Sequence, residues 1–299
     1  MASKYLGALT TDLRKKLELE LWTSQGGNCF ICSAPIDLEL HAGTIDIDHV
    51  EPQVGGGKDD PSNFALTHAS CNRSKLAANL QVARMLARFG QIQTSCYEQF
   101  SRGPNLGDVL KSFTAVRYPA HLELCGDRVR LSFPEVGDNS IHEQPIVSDP
   151  QSGFRSFFAV TPIDYLHHDS KINPRAIGSS LRGLVEEFYR RRPQLHVALA
   201  WVDTTGANGP TQFAVFDGQH KVAAQVLLGV KHLPLRVFVN PDLDVLLQTN
   251  ANAGDKLRQV AFGTSVKRHL GSTLYEDRIE QYQHEKELAD DDLSFSERD

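Results

Sequence analysis

Residues 29–75 read CFICSAPIDLELHAGTIDIDHVEPQVGGGKDDPSNFALTHASCNRSK, and this stretch decides the fold of the N-terminal part of the chain. It contains two knuckles with the same two-residue spacing, Cys29-x-x-Cys32 and His68-x-x-Cys71. Thiolates and an imidazole, four in number, are the ligands that a closed tetrahedral zinc site requires. The pattern predicts a structural zinc site that joins the first loop to the start of a helix, in a region with little apolar content of its own.

Asp48 and His49 lie between the knuckles, on a β-branched strand predicted over residues 45 to 53. A neutral imidazole can take a proton from water, and a carboxylate can bind a hard cation. Adjacent residues of a strand point to opposite faces, so local twist or a bulge must bring the pair to one centre. The structural alternatives are a core histidine at His49, a turn cap at Asp48 and a helix cap at Asn72.

The elements around this strand predict a ββα arrangement. A capped amphipathic helix is expected over residues 10 to 22, with Thr11 or Asp12 as its N-cap. A second short strand is expected over 64 to 67, and a helix from about Ser70 to Phe89 that ends at Gly90. The apolar stripes of the two helices are Leu13, Leu17 and Leu21, and Leu76, Leu80, Ala83 and Leu86.

The run Asp48-His49-Val50-x-Pro52, Gly55-Gly56, Asn63 and His68-x-x-Cys71-Asn72-x-x-Lys75 resembles the HNH endonuclease family in its zinc-ribbon-stabilised form. The resemblance covers roughly residues 20 to 90. It implies a metal-dependent nuclease that hydrolyses phosphodiester bonds.

The resemblance also implies a role for each matching residue. His49 is implied as the general base that activates water, and Asp48 as a ligand of a catalytic divalent metal. Asn72, 23 residues after His49, is implied as the second metal ligand. An asparagine there suits Mg²⁺ or Mn²⁺. Asn63, 14 residues after His49, is implied to tie down the loop and orient the base.

Charge is segregated along the chain. The net charge is −6, but residues 276 to 299 alone carry −7, which leaves +1 for the rest. Between residues 72 and 97 there are four basic side chains and no acid. This distribution fits a phosphate-facing surface and a solvated acidic tail. By the resemblance, Arg73 and Lys75 contact phosphate.

The five cysteines indicate a reducing compartment. They include a Cys-x-x-Cys pair, and the first residues lack the apolar core of a secretory signal, which favours metal binding in the cytoplasm over disulfides. No apolar run approaches the roughly 18–20 residues that span a bilayer.

The second half predicts an α/β domain of βαβ type. A hairpin is expected over 121 to 133, and a polar Pro- and Gly-rich linker over 134 to 153. Asn173 and Pro174 are expected to open a helix that runs to about Arg192. The other expected elements are strands at 157–160, 195–202, 212–216 and 233–239, and a helix at 219–228.

A second motif lies at one of these strand-to-helix turns and consists of Asp217, Gly218, Gln219, His220 and Lys221. The free N–H groups of a helix N-terminus, with a histidine and a lysine beside them, predict a phosphate or nucleotide site. The alternative is an ordinary turn with glycine where φ is positive.

The segments Phe216 to Gly229 and Leu233 to Val237 resemble the ParB/sulfiredoxin-like superfamily. The likeness is to its Asp-Gly-Gln-His-Arg branch, found in DNA-modification and phage-defence proteins. Lys221 replaces the usual arginine, which weakens bidentate phosphate recognition. Gln219 stands where sulfiredoxins carry their reactive cysteine, which excludes that chemistry.

The sequence thus predicts an α+β protein with an N-terminal ββα-metal HNH domain that holds a structural zinc, followed by an α/β ParB/sulfiredoxin-like domain. The predicted boundaries are 1–100 for the HNH domain, 101–150 for the hairpin and linker, 151–275 for the ParB-like domain and 276–299 for the acidic tail. The expected function is that of a DNA endonuclease in defence against phage or foreign DNA. The expected partners are DNA, a nucleotide at the ParB-like domain, and a second copy or a defence protein. The alternative is a zinc-stabilised DNA-binding protein of partition type without catalysis.

Overall fold

The computed structural model describes residues 3–75, 78–206, 211–252, 280–282 and 284. Met1–Asp169 and Pro174–Asn240 form one compact unit, and Ser170–Asn173 with the residues from Pro241 onward form a second. Leu76 of the predicted stripe, and the predicted acidic tail apart from those last four residues, lie outside the described part. No described helix is long and apolar enough to cross a bilayer.

Two helices precede the zinc-type knuckles, α1 at Lys4–Ala8 and α2 at Thr11–Ser24. Thr10 is the N-cap of α2, because its side chain accepts a hydrogen bond from the N–H of Leu13. The predicted cap at Thr11 or Asp12 is therefore wrong. Leu17 and Leu21 are buried as expected, but Leu13 is 52% exposed because it lies in the first turn, outside the core.

Strands β1 (Ile45–His49) and β2 (Phe64–His68) form an antiparallel pair, and helix α3 (Ala69–Lys75) follows β2 directly. Ile47 pairs with Leu66, and both are buried. They pack with the buried leucines of α2 in one apolar cluster. The predicted ββα arrangement is confirmed.

The predicted single helix from Ser70 to Phe89 is wrong, because α3 ends at Lys75 and a longer helix, α4, runs from Leu80 to Phe100. Asn79 explains the restart, since its side chain accepts a hydrogen bond from the N–H of Gln81 and so caps α4. Gly90 is an interior residue of α4 and does not end the helix.

Replacing Gly90 with alanine is expected to stabilise the protein. A Cβ at this position would meet no atom within 4 Å, and glycine inside a helix costs about 0.5–1 kcal/mol relative to alanine. Thermal or denaturant unfolding should give a higher free energy of unfolding for Gly90→Ala. The contrasting substitution is Gly57→Ala, whose Cβ would lie 1.9 Å from the carbonyl oxygen of Glu51 and should destabilise. A loss of stability in Gly90→Ala would contradict the interior placement.

Helix α5 (Leu106–Lys111) is followed by a three-stranded antiparallel sheet of β3 (His121–Cys125), β4 (Arg128–Phe133) and β5 (Asp138–Pro145). The hairpin of β3 and β4 is confirmed. The stretch predicted as a linker instead supplies β5, which pairs with β4. Its polar composition is compatible with a strand because most of its side chains face solvent.

A six-stranded mixed sheet forms the second half of the unit. Its six strands are β6 (Val147–Ser148), β7 (Arg155–Pro162), β8 (Leu166–His168), β9 (Ala198–Val202), β10 (Phe213–Asp217) and β11 (His232–Val239). Their spatial order is β6-β7-β11-β9-β10-β8. Only the β11–β9 and β10–β8 pairs of this sheet are parallel, so it is not a parallel βαβ sheet. The predicted alternation of strand and helix is wrong in part, because no α-helix separates β7 from β8 within the described residues 155–168.

Helices α6 (Leu181–Tyr189) and α7 (Gln219–Leu227) accompany this sheet. The helix predicted to open at Asn173 and Pro174 begins only at Leu181, with Ser180 as its N-cap. The backbone before α6 is hydrogen-bonded to another part of the chain, since the N–H of Ile177 donates to the carbonyl of Pro104. The strand predicted from 195 begins at Ala198.

Helix α4 belongs to two apolar cores. Its buried Leu80 and Ala83 pack in the cluster of β1, β2 and α2. Its buried Val82 and Phe89 pack in the larger cluster that contains the six-stranded sheet.

Candidate metal and nuclease site

The two knuckles converge. Cys29, Cys32, His68 and Cys71 place one ligand atom each within 4.8 Å of one another. The Nδ1 of His68 lies 3.5 Å from the Sγ of Cys32 and 4.0 Å from that of Cys71. Three sulfurs and one imidazole nitrogen at these separations are compatible with a tetrahedral zinc ion.

Hydrogen bonds within the cluster and to residues beside it orient the ligands. The N–H of His68 lies 3.4 Å from the Sγ of Cys29, and its ring Nε2 lies 3.3 Å from the carbonyl oxygen of Pro35. A proton on Nε2 that is donated to this carbonyl leaves Nδ1, the atom beside the thiols, as the lone-pair donor. The side chain of Gln25 bonds to both the N–H and the carbonyl of Leu66, which fixes β2 beside the first knuckle.

Burial and neighbouring groups shift the pKa values of two of the thiols, Cys71 and Cys29. Burial, together with the nearby sulfurs of Cys32 and Cys29, raises the pKa of Cys71 to about 12. Burial also acts to raise the pKa of Cys29, but the backbone N–H groups of Cys32 and His68 outweigh it and lower that pKa. A divalent cation offsets the repulsion that prevents all three thiols from ionising together.

Asp48 and His49 meet at the end of β1, although their side chains leave the strand on different faces. His49 is paired across the strands with Phe64, and the two rings pack edge to face at 4.9 Å. The Oδ1 of Asp48 accepts a hydrogen bond from the N–H of His49 and lies 3.9 Å from its Nδ1. A carboxylate oxygen and an imidazole nitrogen therefore share one small region.

Asp59 contacts the other ring nitrogen, a partner that the sequence did not single out. Its Oδ1 lies 2.9 Å from the Nε2 of His49. A hydrogen bond from the Ser3 hydroxyl holds the pKa of Asp59 well below its usual range, and the N–H of Tyr5 adds to this against burial. An ionised carboxylate only accepts, so the contact places the ring proton on Nε2 and leaves Nδ1 as the acceptor.

The side-chain amide of Gln53 lies 3.2 Å from the same Nε2. Because amide oxygen and nitrogen exchange places by a flip, Gln53 can accept from the same N–H group as Asp59 does.

Asn63 joins the two ends of the loop between the strands. Its Oδ1 accepts from the N–H of Glu51, and its Nδ2 donates to the carbonyls of Glu51 and Lys58, all at 2.8–2.9 Å. The close approach of Gly57 to the backbone of Glu51 explains a glycine in this loop. These contacts hold the loop that carries Gln53 and Asp59.

Asn72 lies on α3 beside the polar face of β1. Its Nδ2 donates to the Oδ2 of Asp46 at 3.1 Å, which leaves the amide oxygen as the atom that can bind a cation. Asp46 was not singled out in the sequence, although it stands two residues before Asp48 and thus on the same strand face. Asn72 therefore contacts Asp46, and among the described residues it forms no hydrogen bond with Asp48.

Arg73 and Lys75 are the two side chains expected to contact phosphate, and of these Lys75 contacts Asp48. The Nζ of Lys75 lies 2.9 Å from the Oδ2 of Asp48, and the lysine side chain is largely buried. Arg73 is exposed on α3. The structure thus assembles Asp48, His49 and Lys75 closely.

The predicted phosphate-binding turn lies where expected, between β10 and α7. Gly218 has φ of +74°, and a Cβ there would come within 3.1 Å of Ala198, so glycine is required by the backbone. Asp217 is the last residue of β10 and is exposed, and Lys221 lies in the first turn of α7.

The two central side chains of this turn are engaged within the protein. Gln219 is 4% exposed, and its Nε2 donates to the carbonyl of Val215. The Nε2 of His220 accepts from the N–H of Gly178 at 2.9 Å. The alternative of an ordinary strand-to-helix turn explains these contacts, and the nucleotide site remains a prediction.

The HNH endonuclease family model matches residues 29–77, which include both knuckles and the Asp48-His49 pair. The match supports the HNH resemblance of the N-terminal part and covers less than a fifth of the chain. No curated protein matches the chain. The likeness of residues 155 to 255 to the ParB/sulfiredoxin-like superfamily therefore remains a prediction.

Proposed function

We propose that this protein is a metal-dependent endonuclease that hydrolyses DNA phosphodiester bonds. The observation that carries the proposal is the arrangement around His49 inside the segment that matches the HNH family. One ring nitrogen bonds to Asp59, and the other lies 3.9 Å from the Oδ1 of Asp48.

His49 is proposed as the general base. With its proton held on Nε2 by Asp59, its Nδ1 accepts a proton from a water molecule beside Asp48. The edge-to-face contact with Phe64 and the hydrogen bond to Asp59 restrict the ring, so little reorientation is needed before proton transfer.

Asp48 and Asn72 are proposed to hold the catalytic cation, with Asp46 beside them. Carboxylate and amide oxygens are the ligands that Mg²⁺ and Mn²⁺ accept. Such a cation supplies charge stabilisation at the scissile phosphate. The knuckles at residues 29–32 and 68–71 are proposed to hold a separate, structural zinc, because their ligand atoms are sulfur and imidazole nitrogen.

The remaining proposals concern DNA contacts and the second half. Arg73 and Lys75 are proposed to contact the phosphate backbone, which suits their place on the helix that carries Asn72. A nucleotide-sensing, ParB-like role for the second half in defence against foreign DNA is supported only by the sequence likeness of Phe216 to Gly229 and Leu233 to Val237. A double-strand break would require two copies or two events, since one such site cuts one strand.

Incubation of supercoiled plasmid with the zinc-loaded protein tests the function. Mg²⁺ or Mn²⁺ should convert the plasmid to the nicked form, and the rate should rise with the concentration of the added cation. A protein that shifts DNA in a gel but never nicks it under these conditions is a binding protein, and the endonuclease proposal then fails.

Replacing Asp59 with asparagine should slow cleavage by about tenfold to a hundredfold, the usual cost of losing a group that orients a site residue. DNA affinity should not change, because Asp59 acts through the ring of His49. Initial rates of plasmid nicking and mobility shifts check both expectations. Asp60→Asn, a neighbouring carboxylate that accepts hydrogen bonds from Ser62, is the control. An unchanged nicking rate in Asp59→Asn would contradict the positioning role.

A further inference from the structure

A cleft of about 810 Å³ lies between the loop after β1 and helix α6. The loop belongs to the segment that matches the HNH family, and α6 lies outside that segment. Glu51, Pro52 and Val54 line it from the loop, and α6 with the turn after it supplies further residues. Lys75 also lines the cleft and lies 2.9 Å from Asp48, so the cleft reaches the proposed active site.

The cleft is mainly cationic in a chain that is acidic overall. Its charged lining residues are four cations and two carboxylates: Lys75, Arg182, Arg190 and Arg191, and Glu51 and Glu186. One carboxylate, that of Glu51, accepts a hydrogen bond from the side chain of Asn79. Within the described residues, the three arginines form no ion pair with any carboxylate, and all three are exposed. Their charges are available to a ligand.

Two of these arginines occupy positions that disfavour them. Arg182 lies in the first turn of α6, where the helix dipole disfavours a cation. Arg191 follows the end of α6 with φ of +56°, a left-handed conformation that usually selects glycine or asparagine. Both residues line the same cleft. Locally unfavourable residues that converge on one surface indicate a role beyond folding.

We propose that Arg182, Arg190 and Arg191 bind the phosphate backbone of the DNA that the HNH-like segment cuts, so that α6 and the turn after it extend the substrate-binding surface beyond that segment. This inference rests on the proposed function. Arg182 and Arg190 are eight positions apart, which corresponds to roughly 12 Å of helix axis at 1.5 Å per residue, or about three and a half base-pair steps of 3.4 Å. Arginine forms bidentate contacts to phosphate, and such contacts would hold the strand in the cleft that Lys75 lines beside Asp48.

The test measures DNA affinity in a variant that should also be more stable. Arg182→Ala/Arg191→Gly removes two cleft charges and relieves both unfavourable placements, so its melting temperature should not fall. Arg128→Ala/Arg130→Ala removes the same number of arginines from exposed positions on β4 and is the matched control. Each of these proteins is zinc-loaded and also carries His49→Ala, which should slow cutting. Fluorescence anisotropy follows a labelled 20-base-pair duplex between about 50 and 200 mM KCl.

The cleft variant should bind the duplex at least tenfold more weakly than its parent. The slope of log affinity against log salt should fall by about 2, because each lost phosphate contact contributes roughly 0.9. The control should retain the parent's affinity and slope. Equal affinity and slope in the cleft variant and the control would overturn the inference.

A second measurement separates this inference from the proposed function. Plasmid nicking by the chain with His49 intact reports the nuclease activity alone. If that chain nicks plasmid and the cleft variant binds DNA normally, the cleft inference fails and the nuclease proposal stands. If nothing nicks but the cleft variant loses affinity and salt slope, the nuclease proposal fails and the DNA-binding role of α6 stands.

Discussion

The His49→Ala protein is expected to bind plasmid DNA with unchanged affinity and to nick it at least a hundredfold more slowly than the parent chain. General-base catalysis contributes about 10²–10⁴ in rate, and no other imidazole among the described residues lies beside Asp48. The measurement is the initial rate of conversion of supercoiled to nicked plasmid, with Mg²⁺ or Mn²⁺ present. Affinity is measured separately by mobility shift.

Loss of cleavage in His49→Ala must be separated from loss of fold, because the His49 ring packs against Phe64. Circular dichroism and thermal melting of the variant provide this check, and His49→Gln offers a larger polar replacement that fills more of the site. His121→Ala, at an exposed position of β3, is the matched histidine control and should nick normally. Wild-type nicking by a folded His49→Ala protein would show that His49 is not the base.

The second large effect is expected from Cys32→Ser. Structural zinc contributes apparent binding free energies of about 10–16 kcal/mol in small zinc modules, and this energy is folding energy. The cluster connects the loop at residues 29–32 to the start of α3, and Asn72 directly follows its last ligand. Losing zinc should therefore unfold the N-terminal core and abolish nicking even with Mg²⁺ in excess.

Metal analysis of the purified Cys32→Ser protein should give much less than one zinc per chain, and its thermal transition should fall sharply. Cys125→Ser is the control, since Cys125 lies on β3 outside the cluster and should leave zinc content and nicking unchanged. A full zinc complement in Cys32→Ser would contradict the ligand assignment. Full nicking after zinc removal would contradict the link between the two sites.

The ββα unit and the metal cluster were predictable because their information is local. Fixed spacings identify the knuckles, alternating apolar residues identify β1, and a short apolar run identifies β2. Asp46 was within reach of the same logic, since it shares a strand face with Asp48. Asp59 was not, because its contact with His49 depends on how the intervening loop folds back, which Asn63 and Gly57 determine through backbone contacts.

The errors in the fold have a common physical cause. At Gly90 and in the strand β5, tertiary or cross-strand contacts outweigh local preference. The segment after Pro174 lacks helix because its N–H groups bond to other parts of the chain, as that of Gly178 does to His220. Composition alone does not reveal such partners.

Helix α4 couples the unfolding of the two apolar cores. One face contributes Leu80 and Ala83 to the N-terminal core, and another contributes Val82 and Phe89 to the core of the six-stranded sheet. A segment shared in this way cannot melt in one core without exposing apolar surface in the other, so the two cores are expected to lose structure in a single cooperative transition. The N-terminal core and the sheet are therefore expected to behave as one folding unit.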